Sequence, residues 1–167
     1  MHTLNGPDAL RKVDELLKHF TVAMLVTHAE TGAVHARPMA MQQDAPAFDG
    51  ELWFFTDRRS RKVDEIDQRP ASLVMQNERA QAYLHLRGAL ALRDDRTKAE
   101  ELWNPAYRAW FPQGLDDPDL ALLQFVALDG EYWESNGGVL GTVASFAAAF
   151  VSGDPSKAGE AGAVDLR

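Results

Sequence analysis

Between residues 21 and 93 apolar runs follow one another with little chain left for helices between them. "TVAMLVTHA" is rich in β-formers, "ETG" reads as a turn, and "AVHARPMAM" returns as a second strand, a break short enough for antiparallel pairing. "ELWFFTD" follows the loop "DAPAFDG" as a third strand, and "ASLVMQN" and "AQAYLHLRGALALRD" supply two more. Parallel strands need a crossover of about a dozen residues, usually a helix, and this chain mostly lacks such intervals. Later, "LALLQFVALDGEYWES" reads as one further strand or as two joined near "LDG". The expected architecture is mainly β with peripheral helices, an antiparallel barrel closed or nearly so.

Two positions refine that barrel. Pro38 would interrupt a central hydrogen-bond ladder, which predicts that its strand runs along an edge or carries a bulge. Gly88 lies inside the longest alternating run, where it predicts a bend or bulge. Helices are expected in four places. "GPDALRKVDELLKHF" has Pro7 and Asp8 near its start and Leu10, Val13, Leu16 and Leu17 at helical spacing. "RSRKVDEID" has Val63 and Ile66 three apart, with Ser60 or Asp57 to cap it and Pro70 to end it. "DRTKAEELW" starts near Asp94 or Asp95, and "NPAYRAWFP" begins as another short helix. "TVASFAAAFVSG" fits a helix or a strand. With 167 residues, 46% of them hydrophobic, the chain suits one domain over 1–150. Residues 151–167, small, polar and Gly-rich, read as a poorly ordered tail.

Charge narrows the functional classes. The net charge is -8, opposite to the balance of generic nucleic-acid binders. There is no cysteine, which removes disulfide and thiolate chemistry. No secretory signal pattern is visible, and no run approaches the roughly 18–20 apolar residues that span a bilayer. The expectation is a cytoplasmic protein acting on neither nucleic acid nor membrane.

Against this acidic background, "FFTDRRSRKVDEI" packs Arg58, Arg59, Arg61 and Lys62 into one strand-to-helix turn. Guanidinium groups give planar, multidentate recognition of phosphate, lysine gives a compact charge, and Ser60 adds a hydroxyl. Basic residues at a helix start are slightly unfavourable for the helix itself, a cost that an anion would offset. A solvated charged turn accounts for the same composition equally well. Arg37 could reach the same place from its strand, or could be an ordinary surface arginine.

Other constellations point nowhere specific. His28 and His35 could face each other across the first hairpin, with His85 nearby, but no carboxylate cluster fixes a metal geometry. Trp103, Tyr107, Trp110, Phe111, Tyr132 and Trp133 fit either a lid over an aromatic ligand or, more simply, packing of loops and a dimer interface. "DDPD" lacks calcium-loop spacing, and no nucleophile-elbow motif is present.

"ARPMAM" followed by "LWFFTDRRSRKVDEI" resembles the pyridoxamine 5'-phosphate oxidase-like flavoproteins, a split-barrel superfamily, over about residues 7 to 148. "WNPAYRAWFPQGLDDPDLALLQFVALDGEYWES" resembles their small general stress protein branch. The resemblance implies an FMN-binding split β-barrel that forms homodimers with flavin in a groove at the subunit interface. It implies that Arg37, Arg61 and Lys62 hold the flavin phosphate with Ser60 beside them. Phe54, Phe55 and Thr56 would lie along the isoalloxazine ring, with Pro38 and Met39 near it from the neighbouring strand. Gln81 falls near a region to which a partner subunit contributes. The implied activity is a stress-linked oxidoreductase using a small-molecule electron donor or acceptor, with a flavin-binding sensor and a deazaflavin-dependent reductase as alternatives. The Trp and Arg motif that seats pyridoxal in true oxidases has no copy after Trp133, so vitamin B6 oxidation is disfavoured. No side chain is marked as a catalytic acid or base.

Overall fold

The computed structural model describes residues 2–42, 47–66, 70–135, 150–152 and 159–167. Strand β1 (His2–Asn5) leads into helix α1 (Gly6–Leu17), which carries Pro near its start and buries Ala9, Val13 and Leu16. The hairpin follows as β2 (Val22–His28) and β3 (Val34–Ala40), antiparallel with Leu25 opposite Arg37. Then come β4 (Glu51–Asp57), the one-turn helix α2 (Arg61–Asp64), β5 (Pro70–Asn77) and β6 (Ala82–Arg93). Helix α3 (Arg96–Leu102) is capped by Asp95, whose side chain accepts from the Lys98 N–H. Two 3-10 turns, Pro105–Ala109 and Gly114–Asp116, lead to β7 (Leu120–Glu134). The "LDG" tripeptide thus lies within a single long strand. Strand β8 (Glu160–Asp165) closes the described chain.

The strands form one mainly β sheet in the order β1-β8-β7-β6-β5-β2-β3, with β4 also pairing β7. Every pairing is antiparallel except that of β1 with β8. The sheet does not close: β3 and β4 approach each other without forming a ladder. That opening makes the barrel split. It also explains Pro38, because among the described residues β3 pairs with β2 alone and its other edge needs no donor.

Alternation along each strand sends one set of side chains inward. Leu25, Leu73, Leu84, Leu86, Leu123, Phe54, Phe125 and Tyr132 form the centre of the core. The register of β6 on β7 slips between Arg87 and Gly88, as expected for a bulge. A Cβ on Gly88 would lie 2.2 Å from the Val126 carbonyl oxygen, so only glycine admits that approach.

The C-terminal segment corrects the sequence expectation. Residues 160–165 were expected in a poorly ordered tail; they form β8, paired to both β7 and β1. Small residues read as disorder in composition, yet here their smallness is the fit. A Cβ on Gly162 would meet the Tyr132 hydroxyl at 2.5 Å. Val164 is buried in the core, and the Tyr132 hydroxyl donates to Glu160 Oε1 at 2.7 Å. Pro70 also departs from expectation, starting β5 where it was expected to end a helix. The choice between helix and strand for 142–153 falls almost wholly outside the described residues.

Candidate functional site

The basic turn divides into two halves. Arg58 donates to Asp94 Oδ1 at 2.5 Å and to the Leu120 carbonyl at 3.1 Å. Arg59 lies 2.7 Å from Asp119 Oδ2 and also reaches Asp57. The Arg59 N–H donates to Asp57 Oδ1 at 2.7 Å and holds that carboxyl below its ordinary value. These two arginines fasten the turn to the end of β6 and the start of β7. Among the described residues, neither Arg61 nor Lys62 has a side-chain ion pair or hydrogen bond. Burial holds the half-buried Lys62 ammonium below its ordinary value, and the neighbouring Arg37 guanidinium pushes the same way against Asp57. Ser60 Oγ is buried and makes no hydrogen bond among the described residues. An unpartnered hydroxyl beside converging cations is a donor set suited to an anion.

Arg37 points inward from β3 into a polar knot the sequence did not mark. Its Nη1 donates to Thr27 Oγ1 at 2.6 Å and its Nη2 to Glu65 Oε2 at 3.0 Å. Thr27 Oγ1 donates in turn to Glu65 Oε2 at 2.5 Å, and His35 Nδ1 lies 2.7 Å from Glu65 Oε1. The Glu65 side chain is only 6% exposed. Burial alone would push its carboxyl up; the bonds from Thr27, His35 and Arg37, with the Arg37 charge, outweigh it and hold Glu65 at about 2. Only the facing register of Thr27 and His35 across the hairpin could have hinted at this knot. Glu65 itself read as one more charge on a solvated turn.

The remaining expected residues separate by face. Met39 is buried with Arg37 on the inner side, whereas Pro38 lies outward opposite Met24. Phe54 and Thr56 are buried inward, and the Thr56 hydroxyl makes one long bond of 3.4 Å to the Asp57 carbonyl. The Phe55 ring faces the other way, against Trp103 and Tyr107 with centroids 5.5 and 5.0 Å away. Tyr107 then donates to Gln42 Oε1 at 3.0 Å. This aromatic group packs the 3-10 segment onto the barrel, while Trp110 stays 70% exposed. Among the described residues β4 hydrogen-bonds to β7 on one edge and to no strand on the other, so backbone groups of Phe54, Phe55 and Thr56 border the split.

Gln81 is not brought to the cluster. It occupies the β5–β6 turn with φ 51°, its amide donating to the Glu78 carbonyl, several residues along the sheet from Arg37. His28 and His35 do not face each other either: Thr27 is the residue opposite His35. A cavity of about 260 Å³ lies apart, between the end of α1, the start of β4 and α3. Phe48, Trp53 and Leu102 form part of its wall, and of the expected flavin residues it touches only Phe54.

No curated protein matches the chain significantly. Among solved structures, a protein assigned as general stress protein 26 from Jannaschia sp. CCS1 superposes with TM-score 0.77 at 27% identity, covering 96% of this chain and 99% of that one. The general stress FMN/FAD binding protein of Xanthomonas citri gives 0.66 at 29% identity, covering 77% and 90%. A Clostridium acetobutylicum protein related to general stress protein 26 of the pyridoxinephosphate oxidase family gives 0.63 at 26%, covering 75% and 87%. Residues 8–156 match the model of the family described as pyridoxamine 5'-phosphate oxidase like, a span that takes in strands β2 to β7 and the whole basic turn, and the chain belongs to that family.

Proposed function

We propose that this protein binds FMN, holding the phosphate with Arg37, Arg61 and Lys62 beside Ser60, and that it serves as an oxidoreductase. The observation that carries the reading is the state of the basic turn. Arg61, Lys62 and the buried Ser60 hydroxyl lack protein partners among the described residues, while the adjacent Arg58 and Arg59 are paired. The open edge of β4 offers backbone groups to the polar rim of a ring, and the similarity to a protein described as FMN/FAD binding agrees with a flavin. A terminal phosphomonoester suits this cluster of cations, which favours FMN over FAD or a deazaflavin. When bound, the flavin would supply electron or hydride transfer; the protein would hold, orient and shield it.

The working unit is a homodimer with flavin at the subunit interface. The outward face of β3, β2 and β5 carries Pro38, Met24 and Val74 side by side, with Met24 38% and Val74 43% exposed. An apolar row across three strands suits a self-complementary interface.

A flavin-binding sensor without turnover is the second reading. It is favoured by the state of Glu65, the carboxylate of the polar knot, which at about 2 is no general acid near neutral pH. FMN titration followed by absorbance tests binding. Arg61→Ala with Lys62→Ala should weaken FMN far more than riboflavin, and equal losses would sink the phosphate role. Oxidation of a nicotinamide donor much faster than by free FMN would establish the enzyme; failure across a broad donor and acceptor panel would favour the sensor.

A further inference from the structure

We propose that Glu65 is a positioning residue for the phosphate site, fixing Arg37 and the Lys62 turn in one arrangement. The inference rests on the FMN reading. Arg37, Thr27 and Glu65 close a ring of bonds: Arg37 Nη1 to Thr27 at 2.6 Å, Arg37 Nη2 to Glu65 at 3.0 Å, and Thr27 to Glu65 at 2.5 Å. His35 braces the second carboxylate oxygen at 2.7 Å. An arginine held in this way still has N–H groups to spare for an anion, because guanidinium carries five. Preorganisation matters most for such a side chain, whose rotamer freedom would otherwise be lost on binding.

Glu65 also belongs to the basic turn itself. It follows α2 directly, and its N–H donates to the Lys62 carbonyl at 3.3 Å. One buried carboxylate therefore ties the segment bearing Lys62 to the strands bearing Thr27 and Arg37. Among the described residues, the charged and titratable groups in contact with it are Arg37 and His35 from β3, and Arg37 in turn faces Lys62 from α2.

Charge alone predicts the opposite sign. A carboxylate near a phosphate repels it, so a purely electrostatic Glu65 would weaken FMN binding and its neutralisation would strengthen it. Positioning predicts that neutralisation weakens binding despite the lost repulsion. The two accounts are thus separated by the direction of a single measurement.

The experiment titrates full-length protein with FMN and with riboflavin. Glu65→Gln is expected to weaken FMN by roughly tenfold, with riboflavin changed less than about twofold. Glu65→Asp keeps the charge but withdraws it by one methylene, and it should lose FMN preference as well. In an Arg37→Gln background, Glu65→Gln should weaken FMN binding less than it does alone, because much of its effect runs through Arg37. Tighter FMN binding by Glu65→Gln, equal losses for both ligands, or losses that add to those of Arg37→Gln would overturn the proposal. If Glu65→Gln does not fold, as judged by circular dichroism, Glu65→Asp carries the same comparison. A wild-type protein that binds FMN no better than riboflavin would overturn the FMN reading and this inference together. Loss of preference in Lys62→Ala with preference intact in both Glu65 variants would overturn this inference alone.

Discussion

Arg59 Nη2 lies 2.7 Å from Asp119 Oδ2, and this pair shows how a run of like charge can serve two purposes. Arg58 and Arg59 are turned toward Asp94, Asp57 and Asp119, so their charge is already compensated within the protein. Arg58→Ala or Arg59→Ala should therefore leave the ratio of FMN to riboflavin affinity within about threefold of wild type. Lys62→Ala should cost about 1.5–3 kcal/mol of FMN affinity, the range for a hydrogen bond to a charged group. Fluorescence titration of the three variants with both ligands checks the division. Equal effects at all three positions would show a diffuse field rather than a built site.

The Glu65 carboxyl gives a pH dependence whose sign is fixed. Its folded value, about 2, lies below its ordinary 4.5. The unfolded chain therefore binds more protons in that interval. The stability it contributes is fully present above about 4.5 and is lost as pH falls toward 2. Urea midpoints between pH 5 and 2 should fall more steeply in wild type than in Glu65→Gln, since the amide has no proton to take up. Parallel pH profiles for the two proteins would contradict the low folded value.

Lys62 offers a spectroscopic check on the same site. Burial and the Arg37 charge hold its ammonium below the ordinary value. A bound phosphate would add negative charge and push it back up. Titration of the Lys62 side chain by heteronuclear NMR should show its midpoint rising when FMN is added and staying in place when riboflavin is added. An unmoved midpoint with FMN bound would place the phosphate elsewhere.

Much of the frame was legible because it depends on local pattern. The alternation in residues 82–93, the turn between β2 and β3 and the Asp95 cap each carry their signal within a few residues. The single turn of α2 was legible as a helix but not in extent, since Val63 and Ile66 recur only once. Glu65 was not legible as a buried group, because its burial is created by Thr27, His35 and Arg37 from a hairpin about thirty residues away. The pairing of β4 with β7 rather than with β3 is equally non-local, and it decides where the barrel splits. The Pro38 signal was local and implied an edge or a bulge, and β3 lies at an edge, where alternation sends Pro38 and Arg37 to opposite faces.

The outer sheet face tests the dimer. Met24 sits between Pro38 and Val74 in register, so a charge there would interrupt the apolar row at its middle. Met24→Glu should convert a dimer to a monomer in sedimentation or light scattering. FMN binding should weaken with it, because the proposed groove between subunits would be lost. A variant that stays dimeric, or a monomer that keeps wild-type FMN affinity, would separate the flavin site from this face.

The attachment of β8 rests on the absence of a side chain. Gly162 pairs with Tyr132, and a Cβ there would lie 2.5 Å from the hydroxyl and 2.6 Å from the ring carbon bearing it. Tyr132 is fully buried, its hydroxyl is committed to Glu160, and Lys12 lies over its ring at 4.8 Å from the centroid, so the ring has little freedom to yield. Lys12 also pairs with Glu134, which fastens α1 to the same end of β7. Gly162→Ala should therefore cost about 1–3 kcal/mol, the range for overpacking a filled core. Tyr132→Phe removes the hydroxyl and its bond and should cost about 1 kcal/mol by itself. In the double variant the clash with the hydroxyl is gone, so the two losses should add to less than their sum. Amide exchange supplies the local readout. In Gly162→Ala the protection of residues 160–165 should fall together with that of His2–Asn5, because among the described residues β8 is the strand that β1 pairs with, while the β5–β6 ladder keeps its protection.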